Sequence, residues 1–117
     1  MHIKRFADAK PYEAANHRGV VGLRLQGFEP GGPANQWIGY SQFLPGGGAG
    51  PDSTPFEKVY VVLSGQMTVL IDGKETVLEA MDSCTIAPNE VREIVNRTNH
   101  VCNILVVVPY PQGNAPR

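Results

Sequence analysis

The chain has 117 residues, of which 42% are hydrophobic and 18% are charged, so it has room for one domain with one core. Its formal net charge of −1 provides no general attraction to nucleic acid or to an anionic membrane, and we expect neither partner. No segment approaches the ~18 apolar residues of a membrane-spanning helix, and the first residues lack an apolar signal segment, so we expect a cytoplasmic protein.

The first half of the chain predicts an arm followed by two strands. Residues 1–18 are polar and mixed, and we expect them to form an N-terminal arm ahead of a barrel over residues 19–109. Val20 to Gln26 and Trp37 to Leu44 contain the alternation of apolar and polar residues that is typical of strands. The run from Pro45 to Gly48 is expected to end the second strand, as a turn or as a flexible lip of the barrel.

The second half predicts further short strands with turns between them. Asp72-Gly73 lies between two apolar runs and predicts a tight hairpin. Pro109 and Pro111 are expected to end the ordered part of the chain, and residues 110–117 are expected to be a flexible tail. With at least seven strands at near-regular spacing, the pattern predicts an all-β sandwich or barrel. The later strands are predicted over Glu57–Leu63, Met67–Ile71, Thr76–Leu78, Cys84–Ala87, Val91–Asn96 and Val101–Val108.

The order of these elements resembles a known family. Leu44 to Gly47, Glu57 to Gly65, Ile71 to Gly73, Asp82 to Pro88 and finally Asn96 follow one another as in the conserved barrel of the cupin superfamily. The resemblance implies a cupin-type jelly-roll β-barrel whose interior holds the ligand or metal site. It also implies a homodimer, because such barrels pair through an outer sheet face or an exchanged N-terminal strand.

The resemblance breaks at the residues that bind the metal in the first cupin motif. That motif has two histidines separated by one residue, then a glutamate, then a glycine. When Gly65 is taken as the glycine, Lys58 stands in the position of the glutamate. Asp52 and Thr54 stand, to within one residue, in the positions of the two histidines.

The fourth ligand, a histidine in the second cupin motif, is also replaced. Aligning on Asn96 puts Arg92 in its position, whereas aligning on Pro88 puts Glu93 there. Charged lysine and arginine cannot bind a metal ion, and the imidazole donors that transition metals prefer are missing. We therefore expect no metal and no other cofactor.

Two cations then take the place of the ion. Because residues in a strand alternate between faces, Lys58 and Tyr60 would face the interior from one strand, and Arg92 from another. Buried cations need an anionic partner, which is either an internal carboxylate or a ligand. Arg92 would bind a carboxylate, Lys58 would act as a general base or form a Schiff base, and Tyr60 would donate a proton.

Six further side chains are candidates for substrate contacts. His17 would reach the barrel mouth from the arm, and Tyr40 and Gln42 alternate on one strand. Trp37 has the opposite parity on that strand and is expected in the core or in an interface. The candidates for contacts with the substrate are His17, Arg24, Tyr40, Gln42, Glu57 and Asn96.

Two alternatives to the cationic pocket stay open at this point. In the first, Lys58 and Glu57 would lie at the barrel rim in surface ion pairs, and Arg92 would pair with Glu90 or Glu93. In the opposite strand register Glu57 and Glu93 would point inward instead and form a carboxylate pair.

Three functions are compatible with these residues. The first is a metal-independent lyase or isomerase that acts by proton transfer on a small anionic carbonyl compound. The second is a non-catalytic module that binds or senses a small carboxylate with the same pocket. The third is a metal cupin with unusual ligands. Proton-transfer groups near Lys58 favour the enzyme.

Overall fold

The structure is a computed structural model, and it describes residues 1–111. Within this part of the chain, one short 3-10 turn at Phe6–Asp8 precedes nine β-strands, and no helix is long and apolar enough to cross a membrane. The strands are β1 (Lys10–Tyr12), β2 (His17–Gln26), β3 (Gln36–Asp52), β4 (Lys58–Ser64), β5 (Met67–Ile71), β6 (Lys74–Leu78), β7 (Ser83–Ile86), β8 (Arg92–Val95) and β9 (Cys102–Pro109).

The strands form one antiparallel sheet that curls into a nearly closed barrel. The strand order is β6-β5-β8-β3-β9-β4-β7, and β2 pairs with β3 while β1 pairs with β2. This arrangement confirms the prediction of an all-β cupin-type barrel. The hairpin between β5 and β6 turns at Asp72 and Gly73, which both have positive φ, as the sequence predicts for a tight two-residue turn.

Strand β3 lies at the centre of the sheet and pairs with β2, β8 and β9. Its first half pairs with β9, from Gln36 opposite Pro109 to Phe43 opposite Cys102, and its second half pairs with β8. The glycine run therefore does not end the strand, contrary to the prediction. The reason is steric, because the backbone of neighbouring strands passes through the space that a Cβ at Gly48 would occupy.

The core lies on the inner face of the strands. In β4, Lys58, Tyr60 and Val62 are buried while the intervening residues are partly exposed, which is the alternation expected of a strand with one inner face. The largest fully buried side chains are Phe43, Met67, Ile86, Ile94, Ile104, Val62, Asn96 and Cys102.

Both ends of the chain contribute more to the barrel than predicted. Within the predicted arm, Lys10–Tyr12 pairs with β2, and β2 itself begins at His17. At the other end Tyr110 is buried, and its hydroxyl donates to the carbonyl oxygen of Pro33 at 2.8 Å. The ordered barrel thus includes the first residue of the predicted tail, and residues 112–117 of that tail lie outside the described residues.

Candidate functional site

A cavity of about 200 Å³ occupies the barrel interior. Strands β2, β3, β4, β8 and β9 supply most of its wall, and Tyr12 of β1 completes it. All four positions that hold the metal in the cupin motifs line this single cavity. The residues at these positions are Asp52, Thr54, Lys58 and Arg92.

Arg92 is the most buried charged residue of the site, with 5% of its surface exposed. Its Nε donates a hydrogen bond to the hydroxyl oxygen of Tyr60 at 2.8 Å. Its Nη1 is buried and has no hydrogen-bond partner among the described residues. A buried donor without an acceptor is costly, so a ligand oxygen at this nitrogen would satisfy the guanidinium.

Lys58 lies beside Arg92 with 9% of its surface exposed. Burial lowers the pKa of its ammonium from 10.5 to about 8, with a further lowering by the charge of Arg92 and a partial offset by Asp52. Both forms of Lys58 are therefore accessible near neutral pH, and the amine can give up or accept a proton.

Tyr60 connects the two cations. Burial raises the pKa of its phenol, although the charge of Arg92 and the hydrogen bond from Arg92 act in the opposite direction. The phenol therefore keeps its proton at neutral pH. Since its oxygen already accepts from Arg92, the remaining O–H is available as a donor to a bound molecule.

His17 reaches the same cavity from the start of β2. Its Nδ1 lies 2.8 Å from the carbonyl oxygen of Ala15, which can only accept, so Nδ1 carries the proton and Nε2 has a free lone pair. Burial lowers the pKa of the imidazole below 6.5, and the charges of Arg92 and Lys58 lower it further. His17 is thus a neutral base at pH 7.

Strand parity explains why two predicted contacts are absent. Tyr40 and Gln42 lie on the outer face of β3, where Tyr40 Oη donates to Asn103 Oδ1 at 2.8 Å and Gln42 Nε2 donates to Tyr40 Oη. The alternate residues Trp37 and Ser41 face the cavity instead. Both faces of β3 mix polar and aromatic residues, so the sequence pattern does not identify the inner one.

The opposite register of β4 and β8 is excluded. Glu57 is exposed just before β4, and Glu93 points outward, where its carboxylate lies 3.3 Å from Arg18. Glu57 therefore does not line the pocket, and no inward carboxylate pair forms from these two residues. Within residues 1–111, neither Lys58 nor Arg92 forms an ion pair at the rim.

Asn96 is fully buried but does not line the cavity either. Its Nδ2 donates to the carbonyl oxygens of Phe43, Leu44 and His100 at 3.0, 3.3 and 2.7 Å. The amide therefore satisfies backbone groups where β3 passes the end of β8. Its role is structural, because a buried carbonyl needs a donor.

Arg24 lies behind the wall of the cavity rather than in it. Its guanidinium carbon is 4.0 Å from the ring centre of Phe28, 5.0 Å from that of Tyr12 and 5.5 Å from that of Trp37. This aromatic surrounding supplies the partner that its charge needs within an apolar strand. Arg24 is accordingly placed to hold Tyr12 and Trp37 in position.

Sequence reasoning missed two aromatic residues of the site. Tyr12 belongs to the predicted arm, and no pattern there identifies a strand that reaches the barrel interior. For Trp37, the parity opposite to that of Tyr40 predicts a place in the core or in an interface instead. The available signal was a set of small residues, Gly39 and Ser41, that share the face of Trp37 and leave room for a large ring.

The side chains at the four metal positions do not fit a divalent ion. They offer one carboxylate and one hydroxyl next to two cations, whereas metal sites in proteins need several imidazole, thiolate or carboxylate donors. Among residues 1–111, no three His, Cys, Asp or Glu side chains lie close enough together to hold one. The chemistry of the site is therefore derived from its own side chains.

Comparison with known proteins identifies the family. The family model for the cupin domain matches residues 39–108. The beta-D-galactosidase Rv1717 of Mycobacterium tuberculosis is 44% identical over 111 residues, which cover 95% of this chain and 96% of that protein.

Solved structures agree on the fold. The polyketide cyclase RemF of Streptomyces resistomycificus matches with a TM-score of 0.84 and 19% identity, over 100% of this chain and 84% of its own. An RmlC-like cupin of Shewanella frigidimarina matches with a TM-score of 0.77 and 18% identity, over 97% and 94% of the two chains. The chain therefore belongs to the cupin family, as a small protein of one cupin domain.

Proposed function

We propose that the cavity binds a small anionic carbonyl or carboxylate compound between Arg92 and Lys58. The observation that carries this proposal is the buried guanidinium of Arg92, whose Nη1 lacks an acceptor. The net charge of the two cations and Asp52 is positive, so an anion would complete the charge balance of the interior. A bidentate contact from arginine would also set the orientation of the bound carboxylate.

The reaction supported by these groups is a proton transfer, as in a lyase or isomerase. At pH 7 the Nε2 of His17 can remove a proton from the carbon next to a carbonyl group, and above pH 8 the amine of Lys58 can do the same. The positive charges of Arg92 and Lys58 would stabilise the enolate that forms. Tyr60 would donate its own phenol proton to a different atom of the enolate, and solvent would carry the proton from the base back to the phenolate, which restores both groups.

The test incubates the protein in D₂O with each of a panel of small 2-oxo acids. NMR then monitors the exchange of substrate protons for deuterium. We expect exchange with the wild type and a loss of at least about tenfold in Lys58→Met and in Arg92→Met. The matched control is Lys74→Met, because Lys74 is an exposed lysine on β6. Borohydride reduction with mass spectrometry would separate a Schiff base at Lys58 from general-base catalysis.

The same panel separates an enzyme from a binding module. Calorimetric binding that depends on Arg92, without any proton exchange, would favour the non-catalytic carboxylate sensor. If the wild type binds none of the anions and catalyses no proton exchange on any of them, the proposal is wrong.

A second candidate, hydrolysis of a β-D-galactoside, is favoured by the name of the 44% identical relative. Most glycosidases use two carboxyl groups across the scissile bond. Among the described residues Asp52 is the only carboxylate that lines the cavity, so Tyr60 would have to act as the nucleophile. Hydrolysis of a chromogenic β-D-galactoside by the wild type, abolished in Asp52→Asn, would establish this activity.

We also propose that two copies pair through the outer face of the sheet. Across β4, β9, β3 and β2 this face carries partly exposed apolar side chains in register, with Tyr40 between Leu105 and Leu23. Light scattering should show a dimer, and Val61→Lys should shift it to a monomer while Val77→Lys on β6 should not. The proposed interface comprises Leu23, Ile38, Val59, Val61, Leu105 and Val107.

A further inference from the structure

The part of the cavity wall that β9 supplies, beside Lys58 and Tyr60, is apolar. Strand β9 lies between β3 and β4, with Val108 opposite Trp37 of β3 and Val106 opposite Tyr60 of β4. A molecule that reaches from Lys58 of β4 to Trp37 of β3 therefore lies across these two valines. The distance across is two strand spacings, or about 10 Å.

Two aromatic rings form the far end of this wall. The rings of Tyr12 and Trp37 meet edge to face with their centres 5.4 Å apart. Both rings occupy space that a side chain at Gly39 would need, since a Cβ there would clash with the Tyr12 hydroxyl and approach the Trp37 ring at 3.0 Å. Arg24 contacts both rings from outside the cavity, which fixes their position.

Building on the proposed function, we infer that the natural substrate is an aromatic anion: a flat apolar ring system that bears a carboxylate or enolate oxygen. The anionic oxygen would bind Arg92, and the ring would lie on Val106 and Val108 against Trp37. The cavity of about 200 Å³ is smaller than the usual range for drug-sized ligands, so the apolar part of the substrate is limited to one or two rings. A sugar is disfavoured on the surface of the two valines, because its hydroxyl groups would lose water there without gaining hydrogen-bond partners.

The experiment compares acetate with phenylacetate, which carry the same charge and differ by one ring. Calorimetry should give phenylacetate an affinity at least about tenfold higher, because the ring leaves water for an apolar wall. Trp37 is the single tryptophan of the sequence, so its fluorescence should change with phenylacetate and not with acetate. Methyl β-D-galactoside should bind more weakly than either anion.

Two variants test the wall itself. Val106→Ser should lower the affinity for phenylacetate several-fold more than the affinity for acetate, whereas Val77→Ser on the exposed face of β6 should alter neither affinity. Gly39→Ala should displace Tyr12 and Trp37 and abolish the preference even if the protein folds normally.

The outcomes separate this inference from the proposed function. If acetate and phenylacetate bind equally well and both depend on Arg92, the aromatic substrate is wrong and the anion site stands. If neither anion binds, both proposals fail. Tighter binding of the galactoside than of phenylacetate also overturns the inference.

Discussion

Replacing Lys58 by methionine is expected to stabilise the protein at pH 7. Methionine has a similar length and fills the same space without a buried charge. The pKa of Lys58 falls from 10.5 to about 8, and the full shift corresponds to about 3 kcal/mol. Because water in the open cavity screens the ammonium, we expect a gain of about 1–2 kcal/mol, or roughly 4 to 8 °C in melting temperature.

The effect of pH follows from the direction of this shift. Well below pH 8 the lysine is protonated in both the folded and the unfolded chain, so the full cost of burying its charge lowers the free energy of unfolding. Between about pH 8 and 10.5 the unfolded chain binds more protons than the folded chain, and the stability contributed by Lys58 rises with pH. Above that window the destabilisation is lost. The pKa values of Tyr60 and Cys84 are raised, so these groups make the free energy of unfolding fall as pH rises in the same range. The difference between Lys58→Met and the wild type removes this shared contribution.

The assay is urea unfolding of the wild type, Lys58→Met and Lys74→Met at pH 7, 9 and 10.5. The gain in Lys58→Met over the wild type should shrink steadily across this series, while Lys74→Met should stay within about 0.5 kcal/mol of the wild type. A destabilised Lys58→Met at pH 7 would refute the reasoning, because it would mean that Asp52 more than compensates the burial of the ammonium.

Three other changes test the structure away from the catalytic groups. Asn96→Ala removes the donor from three carbonyl oxygens and should cost about 2–4 kcal/mol in urea unfolding, whereas a loss under 1 kcal/mol would mean that water replaces the amide. Tyr110→Phe should cost about 1 kcal/mol in urea unfolding, since it removes the hydrogen bond to Pro33, and an unchanged stability would contradict this role of the hydroxyl. Cys102, whose pKa burial raises to about 11, should resist an aromatic disulfide reagent at pH 8 until the protein unfolds; rapid modification of both thiols in the native protein would contradict its burial.

The inward-facing residues of β4 could be predicted because the cupin motif identifies one position on this strand. Lys58 stands seven residues ahead of Gly65, at the position of the glutamate in the first cupin motif, and the resemblance implies that this position faces inward. The same alignment placed Arg92 on the inner face of β8, and these two cations do line one cavity. Here the family pattern supplied the register that periodicity alone left open.

The inner face of β3 could not be predicted in the same way. Its two faces carry Trp37 and Ser41 on one side and Tyr40 and Gln42 on the other, and both sets combine aromatic and polar character. Which set points inward depends on the pairing with β9, which lies more than sixty residues away in the chain. Long-range pairing of this kind leaves no local signal.

The amino-acid sequence alone determined the class of fold, the number and order of most strands, the hairpin at Asp72-Gly73, and the loss of the metal-binding residues. These features depend on local turn geometry, on alternation and on the chemistry of single side chains, all of which are written in short stretches of sequence. Only the tertiary structure decided that Tyr12 of the arm lines the cavity, that the Nε2 of His17 is free, and that Asn96 supports the backbone. Each of these depends on which strands lie side by side, and packing of the whole chain selects that arrangement.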